Sequence, residues 1–483
     1  MATNSLLREL RRVLPRERVI VDRAELSLYD ADGLGLHRAT PGGVVLVENA
    51  NEVVAVLRAL AAAQLPFVAR GAGTGLSGGA VALDDAWIID LNRMRRILEV
   101  NVLDRFAVVE PGVVNLELER AAAAHGLRYA PDPSSQKACT LGGNLAENSG
   151  GPHCFRHGMT TRHVLGLTIA LPDGELLELG GPPGHGQDLD WRGLFVGAEG
   201  TFGVIVRATL ALLPRPEKVQ TWLATFPRLA AACHAVAAMI RAGLRPAALE
   251  VLDRLAIRAV EASIYRAGYP VEAEAVLLIE QEGSTAEVTA EAPRILEICC
   301  AAGCLACEAA ESDADRARLW RGRKGAFGAM GRIARDLYVL DTVVPRRRLA
   351  EVVEAIQALG ERYRLRLSNV FHAGDGNLHP NISFDARDAD ERARVLACSA
   401  EIARLCVAAG GTLSGEHGIG LEKREFLPLV FTEDDLATQK AVRDAIDPGR
   451  RANPKKIFPT GRGCVEAGHR TESHARRAER IIE

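Results

Sequence analysis

The sequence predicts an α+β protein built from more than one lobe. Its 483 residues correspond to roughly three domains at about 150 residues each. Residues 217 to about 410 alternate Ala-rich helices with strands. This order allows antiparallel pairing of the strands and favours an α+β lobe. Residues 214–216, Pro-Arg-Pro, end an alternating strand and are the best candidate for a boundary between lobes.

The composition excludes several classes of protein. Lys and Arg number 59 against 62 Asp and Glu, so the basic excess that is typical of nucleic-acid binding is missing. The first 14 residues lack the apolar core and cleavage site of a signal peptide, and no apolar run reaches the length of about 18 residues that a membrane helix needs. Ten cysteines in so long a chain indicate reduced thiols. We therefore expect a cytoplasmic protein without a transmembrane segment.

The first part of the chain begins with a lead-in, residues 1–40, that contains an amphipathic helix over residues 5–14. Asn49 with Glu52 resembles a capping box and starts a helix that runs to Gln64. The remaining elements predicted before the Pro-Arg-Pro boundary are a helix over 116–125, strands over 43–47, 66–69, 87–90, 105–109 and 202–213, and a hairpin over 164–179.

Helical periodicity dominates the second part of the chain. The elements predicted there are helices over 228–241, 285–301, 346–363, 392–408 and 437–446, and a strand over 274–279. The last twenty residues are polar, and we expect them to be poorly ordered.

A glycine-rich loop over residues 70–80 matches the Gly-x-Gly-x-x-Gly dinucleotide fingerprint. That fingerprint needs a helix directly after it, but residues 80–90 are predicted as loop and strand, which argues against a Rossmann site. Successive glycines still let backbone N–H groups converge on an anion. A plain glycine-rich turn is the alternative, and five glycines with two hydroxyls in eleven residues favour a phosphate site. The candidate phosphate-binding residues are Arg70, Gly71, Ala72, Gly73, Thr74, Gly75, Leu76 and Ser77.

Two later loops complete the groups that a large polar and aromatic cofactor needs. Residues 131–158 are interpreted as one long loop rich in Pro, Ser, Gly and Asn, and a loop of that length is usually functional. Residues 195–203 form the third loop.

In order and spacing, the three loops resemble the FAD-binding domain of the vanillyl-alcohol oxidase / p-cresol methylhydroxylase flavoprotein family. The resemblance implies two α+β subdomains that bind FAD, with an α+β cap domain over the flavin. Residues 70–80 hold no His for a covalent bond, so we expect non-covalent FAD, although His153 and His157 leave attachment open. The further cofactor-binding residues that the resemblance implies are Pro131, Asp132, Pro133, Ser135, Gly142, Gly143, Asn144, Ser149, Gly150, Gly151, His157, Gly158, Glu199, Gly200, Ile205 and Asn453.

The resemblance also divides the chain. The predicted units are the lead-in 1–40, an FAD-binding domain 41–215, a cap domain 216–410 that binds substrate, a segment 411–460 that returns to the flavin, and a polar tail 461–483.

Two histidine motifs carry candidate catalytic groups. His372 and His379 flank a glycine-rich turn, and residues 414–420 add Glu416 and His417. Two His and one carboxylate with an open position form a known catalytic metal arrangement. On spacing alone, a metal site and ordinary structural histidines are equally supported.

Both motifs are similar to those of the D-2-hydroxyacid dehydrogenase branch of this flavoprotein family. The resemblance implies that His372, His379 and Glu416 bind a divalent metal, either Zn or Mn/Fe. It also implies that Asn381 contacts the substrate and that His417 removes the proton of the substrate hydroxyl.

Residues 319–323, Leu-Trp-Arg-Gly-Arg, match the same branch, in which Arg323 would clamp the substrate carboxylate. An Arg-rich surface helix is the alternative interpretation.

Over residues 40–468 the chain most resembles the FAD subunits of bacterial glycolate oxidases. The resemblance implies oxidation of glycolate to glyoxylate, with His-assisted proton removal, hydride transfer to flavin N5 and a metal that polarises the substrate. D-lactate dehydrogenase with a quinone or cytochrome acceptor and D-2-hydroxyglutarate dehydrogenase are the alternatives. The D-2-hydroxyglutarate branch has extra polar residues for the second carboxylate, and the resemblance places Phe327 and Val339 at the corresponding positions. These two residues cannot bind a carboxylate, which favours a small hydroxyacid.

The same resemblance implies partner subunits, a second flavin-type subunit and an iron–sulfur subunit, through which the protein could associate with a membrane. A non-catalytic flavoprotein subunit is the alternative from another class, and the intact motifs argue against it. Cys300, Cys304 and Cys307 have the spacing of a radical-SAM cluster, but they straddle a helix end and a strand, so we interpret them as packing residues.

Overall fold

A computed structural model describes residues 2–183 and 189–460, and the predicted polar tail lies outside them. The N-terminal lobe contains two main sheets. Its strands are β1 (Val19–Ile20), β2 (Gly43–Leu46), β3 (Phe67–Arg70), β4 (Trp87–Asp90), β5 (Ile97–Asn101), β6 (Phe106–Val109), β7 (Leu127–Arg128), β8 (Val164–Ala170), β9 (Leu176–Gly180), β10 (Val204–Ala211) and β11 (Leu213–Pro214). One sheet has the order β1-β2-β4-β3 with a parallel β2-β4-β3 core, and the other is antiparallel with the order β5-β6-β10-β8-β9.

Helices cover both sheets of this lobe. They are α1 (Ala2–Val13), α2 (Arg23–Leu26), α3 (Ala50–Ala62), α4 (Asn115–Ala123), α5 (Leu141–Glu147), α6 (Cys154–His157) and α7 (Arg192–Phe195). Leu10 of α1 and Leu57 of α3 are buried with Val45 and Ile89 of the first sheet. Helix α3 also contacts β8 and β10, so it joins the two sheets into one lobe.

The C-terminal lobe is built on one large sheet. Its strands are β12 (Lys218–Phe226), β13 (Ala248–Asp253), β14 (Ala275–Gly283), β15 (Ala306–Ala309), β16 (Asp336–Val339), β17 (Thr342–Val343), β18 (Arg366–His372), β19 (Asn377–Leu378) and β20 (Pro380–Phe384). The order is β15-β12-β14-β13-β18-β19-β17, while β20 pairs with β18 and β16. All of these pairings are antiparallel. This arrangement confirms the predicted α+β class.

Helices lie on both faces of this sheet, which explains why its central strands are buried throughout. They are α8 (Leu229–Arg241), α9 (Arg254–Glu261), α10 (Thr285–Ala301), α11 (Asp313–Ala329), α12 (Leu349–Arg362) and α13 (Ala389–Ala408). A last helix, α14 (Glu433–Ile446), lies away from the sheet, and its Leu436 shares a small apolar cluster with Ala403 of α13. One apolar core joins α8, α10, α12 and α13 to the sheet, and a second core on the opposite face contains α9 and α11. None of the described helices is long and apolar enough to cross a bilayer.

The interpretation of residues 131–158 as one continuous loop is wrong, because α5 and α6 lie within it. Thr140 accepts a hydrogen bond from the Gly143 N–H and so caps α5. Leu141 and Leu145 of α5 are buried four residues apart. Two glycines in seven residues hid this helix, since glycine has poor helix propensity. The absence of a helix directly after the glycine loop is confirmed: residues 80–86 are irregular and lead into β4.

The chain after α14 returns to the N-terminal lobe. The Phe67 N–H donates to the Arg451 carbonyl, and the Asn453 N–H donates back to the Phe67 carbonyl. Asn453 Nδ2 also donates to the carbonyls of Gly79 and Glu199. These contacts bring the C-terminal segment against the glycine loop.

Candidate active site

A cavity of about 460 Å³ lies between the two lobes. The glycine loop, α5, the third loop and residues of the C-terminal lobe line it. The predicted cofactor residues in its lining are Arg70, Gly71, Ala72, Gly73, Thr74, Gly75, Leu76, Pro133, Ser135, Gly142, Gly143, Asn144, Ser149, Glu199, Gly200, Ile205 and Asn453. The structure therefore brings the three loops together around one cavity.

Seven predicted cofactor residues lie outside this lining. They are Ser77, Pro131, Asp132, Gly150, Gly151, His157 and Gly158. The Ser77 carbonyl accepts hydrogen bonds from the N–H groups of Leu421 and Glu422, which ties the glycine loop to the C-terminal segment. His157 Nε2 contacts Glu282 at 2.6 Å and therefore faces the C-terminal lobe.

The side chain of Arg70 packs against the glycine loop and holds it in place. Its guanidinium donates to the carbonyls of Ala31 at 2.7 Å and Ala80 at 3.2 Å. A Cβ on Gly73 would lie 2.4 Å from Arg70 Nη2, so the loop rests directly on this side chain. Backbone carbonyls thus occupy Nη1 and Nη2 of Arg70, so this side chain supports the loop, and its role as a phosphate donor stays a prediction.

The glycine loop and the start of α5 approach each other closely. A Cβ on Gly71 would lie 2.1 Å from Thr140 Oγ1, and a Cβ on Gly142 would lie 2.6 Å from the Pro111 Cβ. Only glycine fits at both positions without displacing a neighbour. The cavity wall at these two positions is therefore backbone without side chains, which leaves room for a large cofactor.

At the other end of the cavity, His372, His379 and Glu416 meet. The Nε2 atoms of both rings lie near Glu416 Oε1, at 3.2 and 3.1 Å. Each ring is oriented by its other nitrogen: His372 Nδ1 lies 2.9 Å from Glu250, and His379 Nδ1 lies 3.2 Å from the Leu340 carbonyl. Such partners orient the histidine ligands of metals in proteins, so this group fits a divalent cation.

A second group of possible ligands, Asp341 with His379 and His417, is equally compact. Asp341 Oδ2, however, already accepts hydrogen bonds from the N–H groups of Gly415, Glu416 and His417. Lys423 Nζ lies 3.2 Å from the same oxygen. Although burial opposes it, the charge of Lys423 and a hydrogen bond from Ser414 hold the pKa of Asp341 well below its usual range. Asp341 therefore anchors the loop rather than offering a free ligand.

The imidazole of His417 lies next to the first group. Its ring stacks on His379 with centroids 5.0 Å apart, and its Nε2 lies 3.9 Å from Glu416 Oε1. Burial lowers the pKa of His417 to about 4, and the charges of His379 and Lys423 add to this effect. His417 Nδ1 is buried and has no hydrogen-bond partner in the described part of the chain.

Arg323 is buried, so the alternative of an Arg-rich surface helix is wrong for this residue. It lines the cavity from α11 and forms an ion pair of 2.5 Å with Glu250. Its Nε has no hydrogen-bond partner among the described residues. Asn381 also lines the cavity: its Nδ2 donates to the His379 carbonyl, and its buried Oδ1 is unpartnered. Phe327 and Val339 add apolar surface to the same lining.

Sequence reasoning missed the acidic residues that hold this site. Glu250 lies in a strand buried along its whole length, and Asp341 directly follows the strand β16 and one buried Leu. A carboxylate inside an otherwise apolar strand pattern was the available signal, because buried charges are rare unless they are paired. Lys324 was also missed; it lines the cavity and binds Asp132 and Gln136.

The cysteines over residues 299–307 take no part in the metal groups that the described residues form. Cys299 is buried and Cys300 is exposed, and the nine described cysteines are free thiols, as expected for reduced cysteines.

The fold and the cavity define an oxidoreductase that uses a flavin. Residues 41–180 match the family described as FAD binding domain, and residues 215–457 match FAD linked oxidases, C-terminal domain. The chain belongs to the FAD-linked oxidases. It is 44% identical to the glycolate oxidase subunit GlcD of Escherichia coli (strain K12), over 96% of this chain and 93% of the relative.

Other relatives confirm the family. The glycolate oxidase subunit GlcD of Bacillus subtilis (strain 168) is 34% identical over 95% of this chain and 97% of its own length. A D-2-hydroxyglutarate dehydrogenase of Xanthomonas citri pv. viticola is 31% identical over 95% and 98%. Crystalline p-cresol methylhydroxylase has the same fold, with a TM-score of 0.80 at 14% identity over 96% of this chain and 98% of that one. The expected fold of p-cresol methylhydroxylase type is thereby confirmed.

The substitution Gly71→Ala tests the close approach of the glycine loop to α5. The added Cβ would overlap Thr140 Oγ1, so we expect about tenfold weaker FAD affinity, which corresponds to roughly 1.4 kcal/mol. FAD retained after gel filtration measures the effect. Gly331→Ala is the control, because its Cβ would meet nothing within 4 Å. Retention like that of the wild type in both variants would contradict the tight fit.

Proposed function

We propose that this protein oxidises a small 2-hydroxyacid, glycolate to glyoxylate, with FAD as the electron acceptor. The observation that supports this proposal most is a cluster of polar side chains at one end of the FAD cavity, beside the buried Arg323. The cluster consists of His372, His379, Glu416 and His417. The identity to two glycolate oxidase subunits supports this substrate over the alternatives.

The residues of the cavity fit FAD. Glycines at positions 71 and 142 bring bare backbone to the surface, as the pyrophosphate requires. When bound, FAD would take the hydride from the substrate's α carbon. His153 and His157 lie outside the cavity lining, and their rings bind carboxylates of the C-terminal lobe, which supports non-covalent binding.

His372, His379 and Glu416 would hold a divalent metal, Zn or Mn/Fe. Three protein ligands leave coordination positions open for a substrate. A metal there would polarise the hydroxyl and carboxylate oxygens of the substrate and lower the pKa of the hydroxyl. Glu250 and the Leu340 carbonyl keep both Nε2 atoms turned toward that position.

The remaining side chains divide the work of binding and proton transfer. His417, held neutral by burial, takes the proton of the substrate hydroxyl. Arg323 and Asn381 both line the cavity, and each has a buried polar atom without a partner among the described residues. We assign Arg323 to the carboxylate of the substrate and Asn381 to a contact with the substrate beside it. Phe327 and Val339 leave no charged partner for a second carboxylate.

D-lactate, whose oxidation would pass electrons to a quinone or a cytochrome, and D-2-hydroxyglutarate are the alternative substrates. The apolar Phe327 and Val339 disfavour the dicarboxylate, and the 31% identity to a D-2-hydroxyglutarate dehydrogenase is lower than the 44% to a glycolate oxidase subunit. We also propose a cytoplasmic complex with a second flavin-type subunit and an iron–sulfur subunit, and an association with the membrane through those partners.

Anaerobic mixing of the FAD-loaded protein with substrates tests the function. We expect glycolate to bleach the flavin absorbance faster than D-lactate does, and D-2-hydroxyglutarate to have little effect, because Phe327 and Val339 present apolar surface to its second carboxylate. Dithionite provides the fully reduced reference spectrum. Bleaching by D-2-hydroxyglutarate alone, or by none of the three acids, would contradict the proposal.

His417→Ala tests the base. The variant should remain yellow with bound FAD and lose turnover by a factor of about 10²–10⁴, the usual contribution of general base catalysis. His125→Ala, which replaces an exposed histidine, is the control. Near-normal glycolate oxidation by His417→Ala would refute the assigned role.

Elemental analysis of His372→Ala tests the metal ligands. Loss of one of three ligands should leave the purified variant nearly metal-free, whereas His234→Ala, at an exposed position, should keep the wild-type content. Equal metal in both variants would reject His372 as a ligand.

A further inference from the structure

Glu147 carries a carboxyl group in the cofactor cavity that has no role in the proposed reaction. It is the last residue of α5 and lines the cavity. Its Oε1 lies 3.0 Å from the position of a Cβ on Gly79, and its Oε2 lies 2.2 Å from that of a Cβ on Gly418. The group therefore sits between the glycine loop and the loop that carries His417.

Neither oxygen of Glu147 has a hydrogen-bond partner in the described part of the chain, and Oε2 is fully buried. The carboxyl group of Glu199 also lies close to Gly418, since a Cβ on Gly418 would be 2.9 Å from Glu199 Oε1. Glu199 accepts hydrogen bonds of 2.7 Å from the N–H groups of Ile419 and Gly420. These donors stabilise the charged form of Glu199 and leave none for Glu147.

The charges that act on Glu147 oppose its ionisation. Burial raises the pKa of Glu147 well above its usual range, and the nearby carboxylates of Glu199 and Asp32 raise it further. Lys423 is the opposing cation, but its ammonium is bound to Asp341, Ser414 and the Gly418 carbonyl. Glu147 is therefore a neutral acid with one O–H to donate.

We propose that Glu147 is a further cofactor-binding residue, which stays protonated and donates its O–H as a hydrogen bond to an acceptor atom on the flavin ring of bound FAD. Buried donors in proteins are almost always paired. The cavity that Glu147 lines is the FAD cavity, so the cofactor is the partner in reach. This inference rests on FAD binding alone and does not depend on the identity of the substrate.

The donated bond has a consequence for the reduced cofactor. Reduction adds negative charge to the flavin, and a hydrogen bond to a charged acceptor is stronger than one to a neutral acceptor. The Glu147 O–H should therefore bind more tightly after reduction, and its carbonyl stretching frequency should change.

Infrared difference spectroscopy of the FAD-loaded protein, reduced with dithionite, tests the proposal without any substrate. We expect a carboxylic-acid C=O band that shifts on reduction and is lost in Glu147→Gln, a substitution of equal size. Glu422→Gln is the matched control, because Glu422 is a second buried acid with a pKa raised by burial, to about 7, that lies outside the cavity lining. Its spectrum should keep the band.

Flavin affinity gives an independent reading. Glu147→Gln retains N–H donors and should bind FAD within about threefold of the wild type. Glu147→Leu cannot donate, and we expect about tenfold weaker binding, equivalent to roughly 1.4 kcal/mol. The proposal is overturned if the band survives in Glu147→Gln or does not respond to reduction. It is also overturned if Glu147→Leu binds FAD as tightly as the wild type, because the carboxyl then contacts only water.

Discussion

Two buried carboxylates, Asp341 and Glu199, hold the loop that carries His417, the proposed base. Asp341, from the C-terminal lobe, accepts the N–H groups of residues 415–417, and Glu199, from the N-terminal lobe, accepts those of residues 419 and 420. The loop therefore has a fixed path between the lobes. The orientation of Glu416 and His417, and with it the whole candidate site, depends on this double anchor, since each anchor belongs to a different lobe.

The two lobes are joined by charges as well. His153, after α5, lies 2.9 Å from Asp132 and 3.0 Å from Glu280 of β14. Burial opposes its protonation, but the two carboxylates raise the pKa of His153 to about 10, so it is a cation bridging the lobes. Arg316 and Trp320 of α11 bind the same Glu280, which places the helix of Arg323 against the cavity. Breaking such a buried pair is costly, because one charge is left without its partner.

The sequence was sufficient for the parts of the site that local motifs encode. The glycine loop, the two histidine motifs and Arg323 stand in short, recognisable patterns, and the structure brings them to one cavity. Glu250 and Asp341 could not be found in this way, since their partners lie far along the chain and single acidic residues in strands carry no motif. Helix α5 was missed because its glycines serve close approach at the cavity rather than helix propensity. At α5, the close approach of backbone at the cavity thus outweighed helix propensity, and the prediction failed there.

We propose that Glu250 and the Leu340 carbonyl turn the two imidazole Nε2 atoms toward one metal position, which Glu416 also faces, beside the flavin. Anomalous X-ray diffraction at the absorption edge of the bound metal, from crystals of the FAD-loaded protein, tests it most directly. We expect one strong peak between His372 Nε2, His379 Nε2 and Glu416. A peak between Asp341, His379 and His417, or no peak in a catalytically active crystal, would contradict it.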